Sequence, residues 1–258
     1  MKTTVVANQK GGPGKTTLSV LYAHWLVDKK GARVCFIDLD SQRNASKTLA
    51  AFDASVPAAS LFASADVRMP ADRSRRLVLL AGGSALIDVE RARPGMLLPA
   101  FVRQLEGLAE CFDHCVIDTP PALGLRMSAA LIAADFVACP IELEEYSIDG
   151  VTDMLRTIFG TRERYNQRLR LLGIIANRFN PHSVRQRSAL AELIANYHEF
   201  VVPAKISTRS AIPEALAAGI PVWRLQKSSA REASEEVLRV FELLHGRMRC
   251  EALQEEVA

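Results

Sequence analysis

Residues 5 to 17 read Val5-Val6-Ala7-Asn8-Gln9-Lys10-Gly11-Gly12-Pro13-Gly14-Lys15-Thr16-Thr17: a β-branched run, a glycine-rich turn, then a lysine followed by two hydroxyl residues. The glycines fall at 11, 12 and 14, so the pattern G-x-x-x-x-G-K-[ST] is not met letter for letter, but its physics is intact. Glycines let the backbone aim its N–H groups at an anion, and a helix opening near Gly14 adds its positive dipole end. The stretch reads as a phosphate-binding loop in which Lys15 reaches β- and γ-phosphate oxygens and the Thr16 hydroxyl holds Mg²⁺. A ligand-free glycine turn is the alternative, and the strand-loop-helix context disfavours it. Lys10 is a second lysine that an ordinary loop of this kind does not require; a solvated surface lysine is its bland reading.

Two further runs end in acids. One reads Phe36-Ile37-Asp38-Leu39-Asp40-Ser41-Gln42, the other Val116-Ile117-Asp118-Thr119-Pro120-Pro121. Apolar residues followed by Asp at a strand terminus present a carboxylate to Mg²⁺, directly or through water. A single such Asp is a common turn residue; three flanking a phosphate loop point to a metal-nucleotide site. Asp38 and Asp40 are taken to point different ways and to have different jobs: Asp38 in the metal's outer shell, Asp40 orienting the attacking water. Asp118 is assigned to the Mg²⁺ shell, and 119–124 to a switch loop that senses the γ-phosphate.

The elements that must position these groups alternate strand and helix along the chain. Strands are expected at 3–7, 33–39, 77–81, 114–117, 136–139, 171–176 and 200–202. Helices are expected at 15–29, closed by Gly31, and at 44–52, 96–110, 125–134, 148–164, 183–197 and about 230–247, with irregular structure and short helical pieces over 53–76. This order predicts an α/β fold, a mostly parallel β-sheet with helices on both faces, in which ligands lie beyond the carboxyl ends of the strands. With 258 residues, no repeat and no low-complexity linker, one domain spanning 1–258 is expected, with a loose tail from about 249. The 49% hydrophobic fraction is enough to bury a sheet on both faces, and a formal charge of +3 is too small to prove a polyanion partner. Five cysteines, an odd number, fit a reduced, cytoplasmic protein, and Cys111-x₃-Cys115 lacks a second ligand pair at metal spacing. No secretory signal pattern and no membrane-spanning run is expected.

The K-G-G-x-G-K-T-T form of the loop resembles the deviant Walker A box of the ParA/MinD superfamily, in which the early lysine crosses a dimer interface to the partner's nucleotide. The D-x-D-x-Q-x-N-A-S segment at 38–46 and D-T-P-P at 118–121 resemble signatures of ParA-type partition ATPases. The similarity continues through 140–148, 209–215 and 219–223, where it is most like the IncC-type partition proteins, and covers Lys2 to about Glu236. Ser41 departs from the usual Pro of D-x-D-P-Q, which bears on how that switch is held. The resemblance implies a P-loop NTPase domain using ATP and Mg²⁺, with Asn177 at the base-recognition position and 206–210 as the other wall of the base pocket. On pattern alone, a turn residue explains Asn177 equally well.

Arg156, Arg162, Arg164, Arg168, Arg170, Arg178, Arg185 and Arg187 form a basic stretch, extended by Lys205, Arg209, Arg224, Lys227 and Arg231. As a set they point to a sequence-independent DNA surface, with Arg178, Arg209, Lys227 and Arg231 as candidate contacts; a solvated face is the bland reading. From Glu232 onward the chain carries seven Glu and three Arg, an acidic tail unsuited to a membrane-surface helix. Phe241, Leu244 and Leu238 are expected to pack that last helix onto the sheet. The loop signature starts within a few residues of Met1, leaving no room for an N-terminal helix-turn-helix. The expectation is a partition ATPase that dimerises with ATP, binds nucleoid DNA non-specifically, and is released when a ParB-type partner stimulates slow hydrolysis. A positioning ATPase with a non-DNA cargo is the nearest alternative; a metabolic P-loop enzyme would need no basic surface.

Overall fold

The computed structural model describes residues 1–67, 69, 74–143 and 148–255. In chain order these form β1 (Lys2–Val6), α1 (Lys15–Lys30), β2 (Val34–Asp38), α2 (Asn44–Thr48), β3 (Asp53–Pro57), β4 (Leu77–Ala81), α3 (Ala85–Arg91), α4 (Pro94–Leu108) and β5 (His114–Asp118). There follow α5 (Leu125–Ala133), β6 (Phe136–Glu142), α6 (Ile148–Arg164), β7 (Arg170–Phe179), α7 (Val184–Tyr197), β8 (Val201–Ser207), α8 (Ala211–Ala217) and α9 (Ser229–Glu255). Eight strands make one sheet in the order β3-β4-β2-β5-β1-β6-β7-β8, and every pairing is parallel, where the sequence predicts a mostly parallel sheet.

Successive residues of a strand serve opposite faces. Val5, Cys35, Ile37, Cys115 and Ile117 join one buried cluster, beneath α3 to α7. Val6, Val34, Phe36 and Val116 join the other, beneath α1, α8 and α9. Both faces are covered, which is why β2 and β5 are buried at every position. Helix α1 is buried from Leu18 to Leu26 because α9 lies over it, with Tyr22 and Trp25 centred 5.2 and 6.0 Å from the Phe241 ring. Phe241 and Leu244 pack as expected, whereas Leu238 is only partly buried and Val237 and Val240 take the inward positions.

Four elements differ most from the sequence reading. The stretch after Phe52 holds an edge strand, β3; its small, half-exposed residues Asp53-Ala54-Ser55-Val56-Pro57 lack the apolar run that marks the central strands. Helices α3 and α8, of seven residues each, are too short to show a helical period. Helix α9 continues past 249 to Glu255, and residues 256–258 of the expected loose tail lie outside the described residues, as do 144–147 of the similarity block at 140–148.

Strand β1 is central, flanked by β5 and β6, and the chain changes sides of β1 between them. The loops after β1 and β5 therefore open into the crevice at the carboxyl end of the sheet.

Candidate active site

The loop between β1 and α1 is pinned at several points. Ala7 donates its N–H to the Ala138 carbonyl at 3.1 Å, and the buried Asn8 side chain donates to the Pro140 carbonyl at 2.7 Å while accepting from the Lys10 N–H at 2.9 Å. Gln9 donates to the Thr157 hydroxyl on α6 at 2.9 Å. Gly12 and Gly14 have φ of 93° and 86°, a left-handed conformation that favours glycine. A Cβ on Gly14 would lie 2.3 Å from the Asn177 Nδ2, so that position has neither the torsion nor the space for a side chain.

The two lysines of the loop differ in their surroundings. Lys15 is buried, and its ammonium crosses the loop to the Lys10 carbonyl at 2.7 Å. Burial lowers its pKa, against the pull of Asp118 and Asp40. Lys10 is exposed at the head of the loop, beside the exposed Gly11 and Gly12. Pro13 is buried, and its carbonyl accepts from the Asn177 amide at 2.8 Å; Thr16 and Thr17 stand half-buried in the first turn of α1.

Asp38 and Asp118 face each other across the β2–β5 pairing, both with no exposed surface. Asp38 is fully engaged by the protein: Oδ1 accepts from the Asp40 N–H at 3.0 Å, and Oδ2 from the Ser46 N–H at 2.9 Å and hydroxyl at 2.6 Å. Ser46 Oγ in turn accepts from the Gly82 N–H at 2.9 Å, and a Cβ on Gly82 would come within 2.5 Å of the Asp40 carbonyl oxygen. Asp118 is different. Its Oδ1 lies 3.1 Å from the Ser19 hydroxyl, but its Oδ2 is buried with no hydrogen-bond partner. Burial and the Asp38 charge push its pKa up to about 7, against the Thr16 and Ser19 hydroxyls and Lys15. An orphaned, buried carboxylate oxygen beside Thr16 fits a hard divalent cation, which takes oxygen ligands and would relieve that desolvation.

Asp40 is half-buried and accepts the Gln42 N–H at 2.9 Å. Residues two apart on a continuing strand share a face, so strand alternation does not separate Asp38 from Asp40. They differ because β2 stops at Asp38 and the chain turns.

On the other side of the loop lies a cleft of about 320 Å³ lined by Gly12, Gly14, Leu18, Leu21, Asn177 and, opposite, Ile206 to Ser210. Asn177 sits within β7, buried against the loop, where the sequence places it beyond the end of a shorter strand. Glu236 of α9 shapes the far wall, accepting from Ser207 N–H at 2.7 Å, Ser207 hydroxyl at 2.9 Å and Arg209 Nη2 at 2.9 Å. In the sequence Glu236 reads only as part of an acidic tail. Its i,i+4 spacing from Glu232, which takes the other end of Arg209 at 2.5 Å, was the available signal. Ser46 was visible only as the last residue of the 38–46 segment, and Gly82 carried no signal.

The four candidate DNA contacts do not form one free basic surface. Arg178, in a left-handed conformation with φ of 53°, lines the cleft, 3.3 Å from the Gly12 carbonyl oxygen and 3.5 Å from Glu142. Arg209 lines it too, held by Glu232 and Glu236. Lys227 pairs with Glu214, and Arg231 with Glu235 one turn on in α9 at 3.1 Å. Among the described residues no cluster of three or more His, Cys, Asp and Glu can hold a metal, and no helix is long and apolar enough to cross a membrane.

A parallel sheet whose central strand feeds a glycine loop, with a buried lysine in the loop and buried aspartates at the neighbouring strand ends, defines a P-loop nucleoside triphosphatase. A family model described as an AAA domain matches residues 1–171. Protein IncC of Escherichia coli is 40% identical over 257 residues, spanning 96% of this chain and 70% of that protein. The chromosome-partitioning ATPase Soj of Thermus thermophilus is 30% identical, spanning 90% and 94%. Among solved structures, the ATP complex of Cyanothece McdA(D38A) superposes with a TM-score of 0.77 at 27% identity, covering 95% of this chain and 96% of that one. The chain belongs to the ParA/MinD-type AAA family, among the P-loop ATPases of plasmid and chromosome partition.

Proposed function

We propose that the protein is a DNA-partition ATPase that cycles between a nucleotide-closed dimer on non-specific DNA and a released state. The observation that carries this reading is the division of labour between two lysines on one loop. Lys15 is buried where it can reach phosphates bound by the backbone N–H groups of the glycine loop; Lys10 is exposed at the mouth, where a group arriving from outside can meet it. A second copy of the chain, closing face to face, supplies that something: its own nucleotide. Similarity to Soj, a chromosome-partitioning ATPase, and to IncC supports the partition role.

In this reading Mg·ATP, when bound, supplies a polarised γ-phosphate open to in-line attack by water. Thr16 and the free oxygen of Asp118 hold the cation, and Asp38, whose oxygens are taken by Ser46 and Asp40, acts from the outer shell. Asp40 orients the water. Asn177 and 206–210 bracket the base, and residues 119–124 respond to the γ-phosphate. A ParB-type centromere-binding partner stimulates hydrolysis, and the protein works in the cytoplasm on the nucleoid. Exposed arginines such as Arg231 then serve DNA phosphates after giving up weak surface pairs.

The test is Lys10→Ala. ATP affinity, by calorimetry, stays near wild type; ATP-dependent dimerisation, by light scattering, and ATP-dependent retention of random duplex DNA at fixed salt are lost together. A variant that dimerises normally with ATP overturns the cross-interface role.

A further inference from the structure

Outside the groups already discussed, a half-buried ionic link joins the two loops that flank the site. Glu90, near the end of α3, accepts from the Leu125 N–H at 2.7 Å and from Arg126 Nε at 2.7 Å, so it caps the first turn of α5 and holds the arginine beside it. A Cβ on Gly124 would overlap the Glu90 carboxylate, so the end of loop 119–124 lies directly against it. Arg126 carries on past this pair: its Nη1 donates to the Leu39 carbonyl at 3.0 Å. The arginine side chain is only 11% exposed.

Leu39 C=O and Asp40 N–H belong to one peptide plane. That plane is fixed at both edges, by Arg126 on the carbonyl and by Asp38 Oδ1 on the N–H. The preceding plane is fixed as well, since Leu39 N–H donates to the Asp118 carbonyl at 3.0 Å. The direction in which the Asp40 carboxylate leaves the backbone is thereby set by Arg126 from one side and the metal-site acids from the other.

We propose that Arg126, clamped by Glu90, is a positioning residue that couples loop 119–124 to Asp40 by holding the Leu39–Asp40 peptide. Movement of the loop displaces Gly124 against Glu90, shifts the start of α5, and alters the bond at Leu39. Nothing in this link touches the nucleotide-binding glycines or the base cleft, so it acts on turnover and leaves binding alone. The inference rests on the reading of Asp40 as the water-orienting group.

The experiment measures steady-state ATP hydrolysis and equilibrium binding of a fluorescent ATP analogue with Mg²⁺ on Arg126→Gln, Asp40→Ala and the double variant. Arg126→Gln is expected to lower kcat by roughly ten- to a hundredfold, the loss associated with a small misplacement of a catalytic group, with analogue affinity unchanged within about twofold. The double variant is expected to be no slower than Asp40→Ala alone. Wild-type kcat in Arg126→Gln while Asp40→Ala is inactive overturns the inference, as does an equal loss of affinity and kcat in a folded protein. Wild-type turnover in Asp40→Ala overturns the reading beneath it and the inference with it. If Arg126→Gln does not fold, Arg126→Lys replaces it: one ammonium cannot span both Glu90 and the Leu39 carbonyl, so kcat falls at unchanged affinity, and an unchanged kcat overturns the inference.

Discussion

The two sides of the phosphate loop are built in opposite ways. Toward β2 and β5 the charges are buried and the sum is left open: Asp38 and Asp118 carry two carboxylates against one buried Lys15, and Asp118 keeps an oxygen with no partner. Toward β7 and β8 the charges are closer to water and closed within the chain, Arg178 on Glu142, Arg209 on Glu232 and Glu236. Burying a charge without a partner is costly, so an open sum in the interior marks where a ligand completes the structure. A closed sum near the surface marks a wall that is finished without one.

The largest effect should come from the loop itself. Gly14→Ala puts a Cβ at a φ of 86° and 2.3 Å from Asn177, and nucleotide binding measured by calorimetry should weaken by roughly a hundredfold or more. Gly83→Ala, where a Cβ meets nothing within 4 Å, is the matched control and should bind as wild type. If both bind alike, the close packing of loop on Asn177 does not matter and the comparison loses its centre.

A smaller effect separates two arginines that sequence alone treats as equals. Arg209→Glu breaks the link to Glu236 that shapes the cleft wall, and nucleotide affinity should fall by about tenfold, the cost of about one lost charge-assisted bond. Arg231→Glu, whose side chain is 84% exposed and paired only within its own helix, should leave nucleotide affinity intact. It should weaken DNA retention a few-fold and flatten its salt slope by about one. Identical behaviour of the two variants would erase the distinction between wall and surface.

The smallest effect concerns buried groups far from any ligand. Burial pushes His24 and His114 down to about 4 from an ordinary 6.5. Their folded pKa values are depressed, so between about 4 and 6.5 the unfolded chain binds more protons than the folded one. Stability therefore falls as pH drops through that window and is unaffected by these groups above it. Urea midpoints should show this slope most cleanly with saturating Mg·ATP, since without it Asp118, raised to about 7, adds an opposite slope over the same window. His24→Leu should make the slope shallower. A slope that disappears on adding nucleotide would mean it comes from the site instead.

Much of the frame was legible in the chain. The bounds of β4 and α6 match the sequence reading residue for residue, and β2 and β5 fall within a residue or two, because their apolar runs and caps are local signals. The half-exposed edge strand β3 was hidden, since it has no apolar run and its alternation rests on only two small apolar residues, Ala54 and Val56, between Asp53, Ser55 and Pro57. In the site, the glycines, Lys15, Asp38 and Asp118 announced themselves by spacing. Gly82, Glu90, Arg126 and Glu236 did not, because each acts through a partner distant in sequence, such as Gly82 on Ser46 and Glu90 on Arg126; Ser46 stood in the 38–46 segment with no role attached to it.

The sequence by itself determined that strands with buried faces alternate with helices, and that a glycine loop and three acids meet at one end of the sheet. Period, cap and motif are short-range properties, fixed by torsion preference and by which side chains can leave water. Tertiary structure alone decided which charges remain open and which are closed. Asp118 opposite Asp38, Arg126 on Leu39 and Arg209 on Glu236 are long-range pairings, and only the packed sheet sets their distances and the exclusion of water around them.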